Sequence, residues 1–191
     1  MRTAQSHESV TTVLREQHAY IKGLLDAVSV TKDNAKVQEL FDCARAAVAM
    51  HETAEEVIVY PVLRKLPAGD VIAEQRVSEE SEAKRVLLQL ERLSSGDPEF
   101  GSLFEKLHRA AGAHAEFEEQ TVLPLLEDKL SKKQLGEMGD ALHAAEAIAP
   151  THAHPHLPDA TLATMVFGPF VAVADRARDA IERHMRQRKA S

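Results

Sequence analysis

Apolar residues over the first 130 positions recur in steps of three and four, the spacing that lines up side chains on one face of an α-helix. The clearest stripe is Val37, Phe41, Ala44, Val48, His51, Glu55, Ile58 and Val62. A second stripe repeats every one of these positions 63 residues later: Phe100, Phe104, Leu107, Ala111, His114, Glu118, Thr121 and Leu125. The match makes the chain an internal repeat of a helical hairpin. A first helix over roughly residues 7–31 has Val10, Leu14, Ile21, Leu24, Leu25 and Val28 on its apolar face. A third, between the two stripes, has Ala83, Leu87 and Leu90. Breakers stand where the hairpins should turn, at Lys32-Asp33-Asn34, Pro67-Ala68-Gly69-Asp70 and Ser94-Ser95-Gly96-Asp97-Pro98. Short connections make antiparallel neighbours, so the pattern predicts an all-α, up-down four-helix bundle.

The polar members of the stripes carry the chemistry. His51-Glu52-Thr53-Ala54-Glu55-Glu56 recurs as His114-Ala115-Glu116-Phe117-Glu118-Glu119, and a proline follows each copy at the same offset, Pro61 and Pro124. Residues four apart lie one turn away on one helical face, so each imidazole and its carboxylate reach one interior point. Two copies of this His-x-x-x-Glu unit suggest a two-metal site, which helix bundles build from inward carboxylates and histidines. A metal-free buried network is the plainer alternative, but buried charge is costly unless paired or metal-bound. His18 lies among the apolar positions of the first helix and is the matching histidine there. The same offset from His18 falls on Ser81, and no histidine occurs between His51 and His108. The third helix must therefore offer another ligand or none. Glu80 is the best candidate because it shares a face with Ala83, Leu87 and Leu90, with Glu79 and Glu82 as solvated alternatives on either side. The candidate metal ligands are thus His18, His51, Glu55, Glu80, His114 and Glu118.

Other residues read more plainly. Glu56 and Glu119 point about 100° away from the ligands they follow, so they read as outer neighbours or surface groups. Tyr60 reads as a packing residue at the bundle end, His108 as surface, and Pro61 and Pro124 as helix kinks or ends. His7 is three turns from His18, too far to share a metal.

Residues 1–130 are read as the bundle and residues 131–191 as a C-terminal helical extension. Lys132 to Ala147 reads as a fifth helix and residues 150–158, with His152, His154 and His156 between prolines, as an extended linker. Ala160 to Arg188 reads as one broken helix or two short ones, with a stripe of Val166, Phe170, Val173, Ala177, Ile181 and Met185. That stripe suits packing on the bundle, a protein partner or self-association, and the linker histidines suit either packing or metal loading.

Composition narrows the class. With 191 residues, no tryptophan and 4% aromatics, the chain has room for one helical core of ordinary size. A net charge of −7 argues against a nucleic-acid phosphate surface. The single cysteine, Cys43, permits no intrachain disulfide, the polar start lacks the apolar core of a signal peptide, and no apolar run approaches the ~20 residues that cross a bilayer. A cytoplasmic protein, without membrane or nucleic-acid partners, is the expectation.

On His18, on His51 with Glu55-Glu56 and Tyr60-Pro61, and on His114 with Glu118-Glu119 and Pro124, the chain resembles the hemerythrin-like HHE cation-binding proteins over about residues 8–130. The histidine-bearing, proline-rich tail is similar to that of actinobacterial members. The resemblance implies a four-helix bundle holding two non-heme irons, with manganese as a possible substitute. It also implies that Glu55 and Glu118 bridge the metals while histidines cap them. A small oxidant, dioxygen, nitric oxide or peroxide, would be bound or turned over in stress response or sensing; a metal-sensing or iron-storing module acting through a protein partner is the alternative. Ser81 departs from the family pattern, and a carboxylate in place of imidazole would favour ferric iron or manganese over ferrous iron.

Overall fold

A computed structural model describes residues 8–146 of the chain. The expectations for His7, for the histidine-rich linker and for the helices after it fall outside those residues. Among the described residues there is helix and no strand. The elements are α1 (Val10–Val30), α2 (Asn34–Ala54), a π-helical turn (Glu55–Val59) leading into α3 (Tyr60–Leu63), α4 (Gly69–Leu90), α5 (Phe100–Phe117), a second π-helical turn (Glu118–Val122) leading into α6 (Leu123–Lys129), and α7 (Lys132–Glu146). Since α2 runs through its turn into α3, and α5 through its turn into α6, four long helices form the bundle.

Local chemistry sets the boundaries. The Ser9 hydroxyl accepts from the Thr11 amide at the start of α1, and the Asp33 carboxylate accepts from the Lys36 amide at the start of α2, satisfying donors that a helix leaves bare at its N-terminus. The turn before α4 is tighter. Ala68 stands in the left-handed region at φ 62°, and a Cβ on Gly69 would lie 1.8 Å from the Leu63 carbonyl oxygen. Glycine is therefore required where α3 doubles back into α4.

The prolines do not end their helices. Pro61 and Pro124 sit in the first turn of α3 and α6, directly after the π-helical turns. A proline has no N–H and its ring crowds the carbonyl four residues back. The wide turn removes the conflict: the Tyr60 amide donates to Glu55 O and the Leu123 amide to Glu118 O, each five residues back. A π-helical turn accommodates one extra residue, so the buried stripe advances by one beyond it. In the second hairpin Val122, Leu123 and Leu126 are fully buried, while Thr121 and Leu125, the positions expected from an unbroken α-helical period, are only half-buried.

The core is divided. One apolar cluster holds Ile21, Leu25, Val48, Val86, Leu87 and Leu107 with a knot of Phe41, Phe100 and Phe104; the Phe41 and Phe100 rings meet edge to face at 5.2 Å. The other holds Val10, Leu14, Ile58, Val59, Leu63, Leu123 and Leu126. Helix α7 belongs to this second cluster, contributing Leu135, Met138, Ala141, Leu142 and Ala145. Between the two clusters lies the layer of buried histidines and glutamates.

Gly69→Ala is expected to destabilise the protein by about 1–3 kcal/mol, the usual range for overpacking, as measured by urea denaturation with the far-ultraviolet signal of the folded baseline unchanged.

Candidate metal centre

Each of the four long helices delivers a side chain to the polar layer. His18 comes from α1, His51 from α2 and Glu55 from the first residue of its π-helical turn, Glu80 from α4, His114 from α5 and Glu118 from the first residue of the second turn. All but His114 are almost completely buried, and His114 is 12% exposed at its side chain. Two groups form. One donor atom each from His18, His51, Glu55 and Glu118 lies within 4.8 Å of the others, and the same holds for Glu55, Glu80 and His114. Glu55 belongs to both.

The donors face one another without bonding. His18 Nε2 is 3.4 Å from Glu118 Oε2, His51 Nε2 is 3.3 Å from Glu55 Oε2, and His114 Nε2 is 3.6 Å from Glu55 Oε2 and 3.5 Å from Glu118 Oε1. The Nε2 atoms of all three histidines, Glu55 Oε1, Glu80 Oε2 and Glu118 Oε2 are buried without a hydrogen-bond partner. Buried polar atoms are normally paired, and one unpaired atom on every candidate ligand, all in one layer, is what a set of cation ligands presents. Separations near 3.5 Å also suit nitrogen and oxygen ligands that each stand ~2.1 Å from a shared ion. The residues fit a bound metal cation.

Outer contacts fix the rings. His51 Nδ1 lies 2.7 Å from Gln17 Oε1 and His18 Nδ1 lies 3.0 Å from Glu119 Oε1. A proton on Nδ1 donated outward leaves the Nε2 lone pair facing inward, the arrangement that metal-binding histidines use. Tyr60 performs a different task. Its hydroxyl reaches Glu55 Oε2 at 3.4 Å and Glu118 Oε1 at 3.1 Å, and bonds closely to Glu80 Oε1. One phenol thus ties together all three carboxylates.

Burial and mutual repulsion set the charge of the metal-free layer. Burial, with the neighbouring His18, pulls His51 down to about 3, so its imidazole is neutral at pH 7. His114 is lowered for the same first reason. Glu55 is pushed well above the carboxylate range by burial and the charge of Glu118, and Glu80 is raised by burial and Glu52. Burial opposes the charge on Glu118 too, but His18 and His114 beside it hold its pKa low. The Tyr60 hydroxyl is raised by burial and by Glu55, Glu118 and Glu80, so it keeps its proton as donor.

The structure gathers His18, His51, Glu55, Glu80, His114 and Glu118 into one layer. Ser81 turns outward and bonds its own helix at Val77 O, while Glu79 and Glu82 pair with Arg76 and Lys106 nearer the surface. Glu56 pairs with Lys84. His108 is half-buried rather than fully exposed, bonded to Asp26 and Ser29. Tyr60 was missed as a member of the layer. In an α-helix its position, five after Glu55, points away; across a π-helical turn residues five apart share a face. A proline inside an unbroken apolar stripe was the signal that the period changes there. Glu52 and Arg76 were also missed. Both are buried and both border the layer, with Glu52 raised to about 8 by burial.

Two outcomes follow for the metal-free protein. Tyr60→Phe strips the carboxylates of their common donor and should cost about 1–3 kcal/mol in urea denaturation. Glu52 has a folded pKa near 8 against an ordinary 4.5, so the folded state holds a proton that the unfolded state releases. Its stabilising contribution is complete below about pH 4.5 and is lost as pH rises through 8. Glu52→Gln should flatten that decline, raising stability at pH 8 by an amount on the order of a few kcal/mol.

Comparison with known proteins agrees with this architecture. The hemerythrin HHE cation binding domain profile matches residues 9–126. An uncharacterized hemerythrin-like protein of Schizosaccharomyces pombe is 29% identical over 138 residues, 71% of this chain and 68% of that protein. A DNA nickase of a Nostoc species is 27% identical over 139 residues, covering 73% of this chain but only 39% of the relative. The crystal structure of a hemerythrin HHE cation binding domain-containing protein from Mycobacterium kansasii superposes with a TM-score of 0.66 at 23% identity, covering 87% of this chain and 99% of that one, a likeness of fold. No helix among the described residues is long and apolar enough to cross a membrane. With its profile match spanning the bundle and its buried donors converging between two apolar clusters, the chain belongs to the hemerythrin HHE cation-binding domain family.

Proposed function

We propose that this protein holds two non-heme irons and binds or reacts with a small oxidant, dioxygen, nitric oxide or peroxide, in stress response or sensing. The observation that carries the reading is the shared position of Glu55: two donor groups overlap at one carboxylate, as a pair of adjacent ions requires. His18, His51, Glu55 and Glu118 would hold one ion and Glu55, Glu80 and His114 the other. Bound iron would supply a redox-active Lewis acid for small oxygen- and nitrogen-containing molecules. Manganese suits the same oxygen-rich donors.

The chain's own residues would do the rest. The first group has four protein donors and the second three, so the second leaves more room for an incoming molecule. Tyr60 holds its proton against Glu80 and Glu118 and would keep their carboxylate oxygens oriented. Apolar clusters on either side of the layer limit water. A cavity of about 950 Å³, bordered by His18, His51, Glu80 and His114, gives access. Glu80 in place of an imidazole adds negative charge, which favours the higher oxidation state. The nickase activity named for the Nostoc relative is not adopted: the match spans under half of that protein, and a chain of net charge −7 is poorly suited to phosphate contacts.

Metal content and the ultraviolet-visible spectrum of anaerobically iron-reconstituted protein, before and after air or peroxide, test the reading. The expected result is two irons per chain with an absorption change on oxidation, and a reduced second-site occupancy with a weaker band in Glu80→Ala. One iron or none, or a spectrum indifferent to oxidant, would sink it.

A further inference from the structure

The cavity beside the metal centre is much larger than a diatomic gas or peroxide needs. At about 950 Å³ it falls in the range of pockets that hold organic ligands, roughly 300–1,000 Å³. Much of its wall is apolar, with Ile21, Leu25, Val48, Val86 and Leu107 among the lining residues. Helix α5 borders it with small side chains, Ala111 among them, and a Cβ on neighbouring Gly112 would meet nothing within 4 Å.

Charged side chains also line it, Lys22, Glu52, Glu79, Glu80 and Lys106 among them, and the buried cation of the set is Arg76. Arg76 is 1% exposed, the largest fully buried side chain among the described residues. Its Nη2 donates to Glu79 Oε1 at 2.6 Å, and its guanidinium carbon stands 3.9 Å above the Phe117 ring. Its Nε and Nη1 have no partner. A buried cation short of acceptors is costly, and the guanidinium fork matches carboxylate geometry better than any other side chain. Glu79, its one partner, is itself 43% exposed and leaves the other two nitrogens unanswered. Along α4, Arg76 lies four residues before Glu80 and Val86 six after, so the charge and the apolar wall stand about 6 Å and 9 Å to either side of the centre at 1.5 Å per residue.

We propose that this cavity binds a monocarboxylate with a medium-length apolar body, its carboxylate held by Arg76 and its chain lying past the metal centre against Val48, Val86 and Leu107. The site goes beyond the small-oxidant reading and does not rest on it, because the contact needs no bound metal. It gives the cavity a ligand of its own size and Arg76 the acceptor it lacks.

Isothermal calorimetry of the full chain with decanoate tests the inference, on metal-loaded protein and again after chelation, with decanol and acetate as partial probes. Decanoate should bind at least about tenfold more tightly than either. Arg76→Gln should reduce decanoate affinity about tenfold or more, to the level of decanol, and leave decanol unchanged; Arg76→Lys should fall between. Ala111→Leu, which narrows the cavity away from Arg76, should weaken decanoate and decanol alike with metal content unchanged, and it decides the matter if Arg76→Gln does not fold. No decanoate binding, equal binding of decanoate and decanol, or full affinity in Arg76→Gln would overturn the proposal, the last making Arg76 a counter-charge to Glu80 or assigning the carboxylate to the metals. Iron counted after reconstitution separates the two readings: two irons without decanoate binding removes this one alone, and decanoate binding by protein that takes up no iron on reconstitution removes the di-iron reading alone.

Discussion

Three carboxylates and three imidazoles occupy one layer in the middle of a helical bundle, with apolar side chains above and below and a cavity alongside. Such a layer is unfavourable unless every lone pair is answered, and much of the structure serves that requirement. Four helices each contribute, so no single helix carries the whole charge. Gln17 and Glu119 face the outward nitrogens of two rings, and the Tyr60 hydroxyl donates most closely to Glu80 while standing against an oxygen of Glu55 and of Glu118. What those contacts leave over is one inward atom per candidate ligand, and a bound cation would complete the set.

The division of the core follows from the same requirement. A continuous apolar interior would have to be interrupted somewhere to admit the polar layer, and the interruption costs packing. The aromatic knot of Phe41, Phe100 and Phe104 on one side and the contribution of α7 on the other restore it. Helix α7 adds five buried apolar residues to the cluster below the layer, at the end where α3 and α6 are short. The fifth helix therefore supports the floor beneath the site as well as following the bundle in sequence.

Much of this was legible in the residues. The repeat at an offset of 63 picked out the two helices that each bring a histidine and a glutamate to the buried layer, and the periodicity of α1 placed His18 inside. The failure of the repeat at Ser81 pointed to Glu80, since the face shared with Leu87 and Leu90 is the buried one. What escaped was whatever depends on a changed helical period. Tyr60 reads as packing and Thr121 and Leu125 as core when 3.6 residues per turn are assumed throughout, and Pro61 and Pro124 read as helix kinks or ends. Arg76 and Glu52 escaped for another reason: periodicity tells which face a side chain leaves from, but not that a charged head group will stay buried there.

The two wide turns bear on how this chain should be compared with others. Each inserts a residue between a buried glutamate and the proline after it, at matching places in the two halves. A bundle of the same design with uninterrupted α-helices would align to this one only with a single-residue gap after each glutamate. An ungapped alignment, scoring well on the histidines and glutamates, would set the lower core one position out of register in both halves. It would also place some other residue opposite Tyr60.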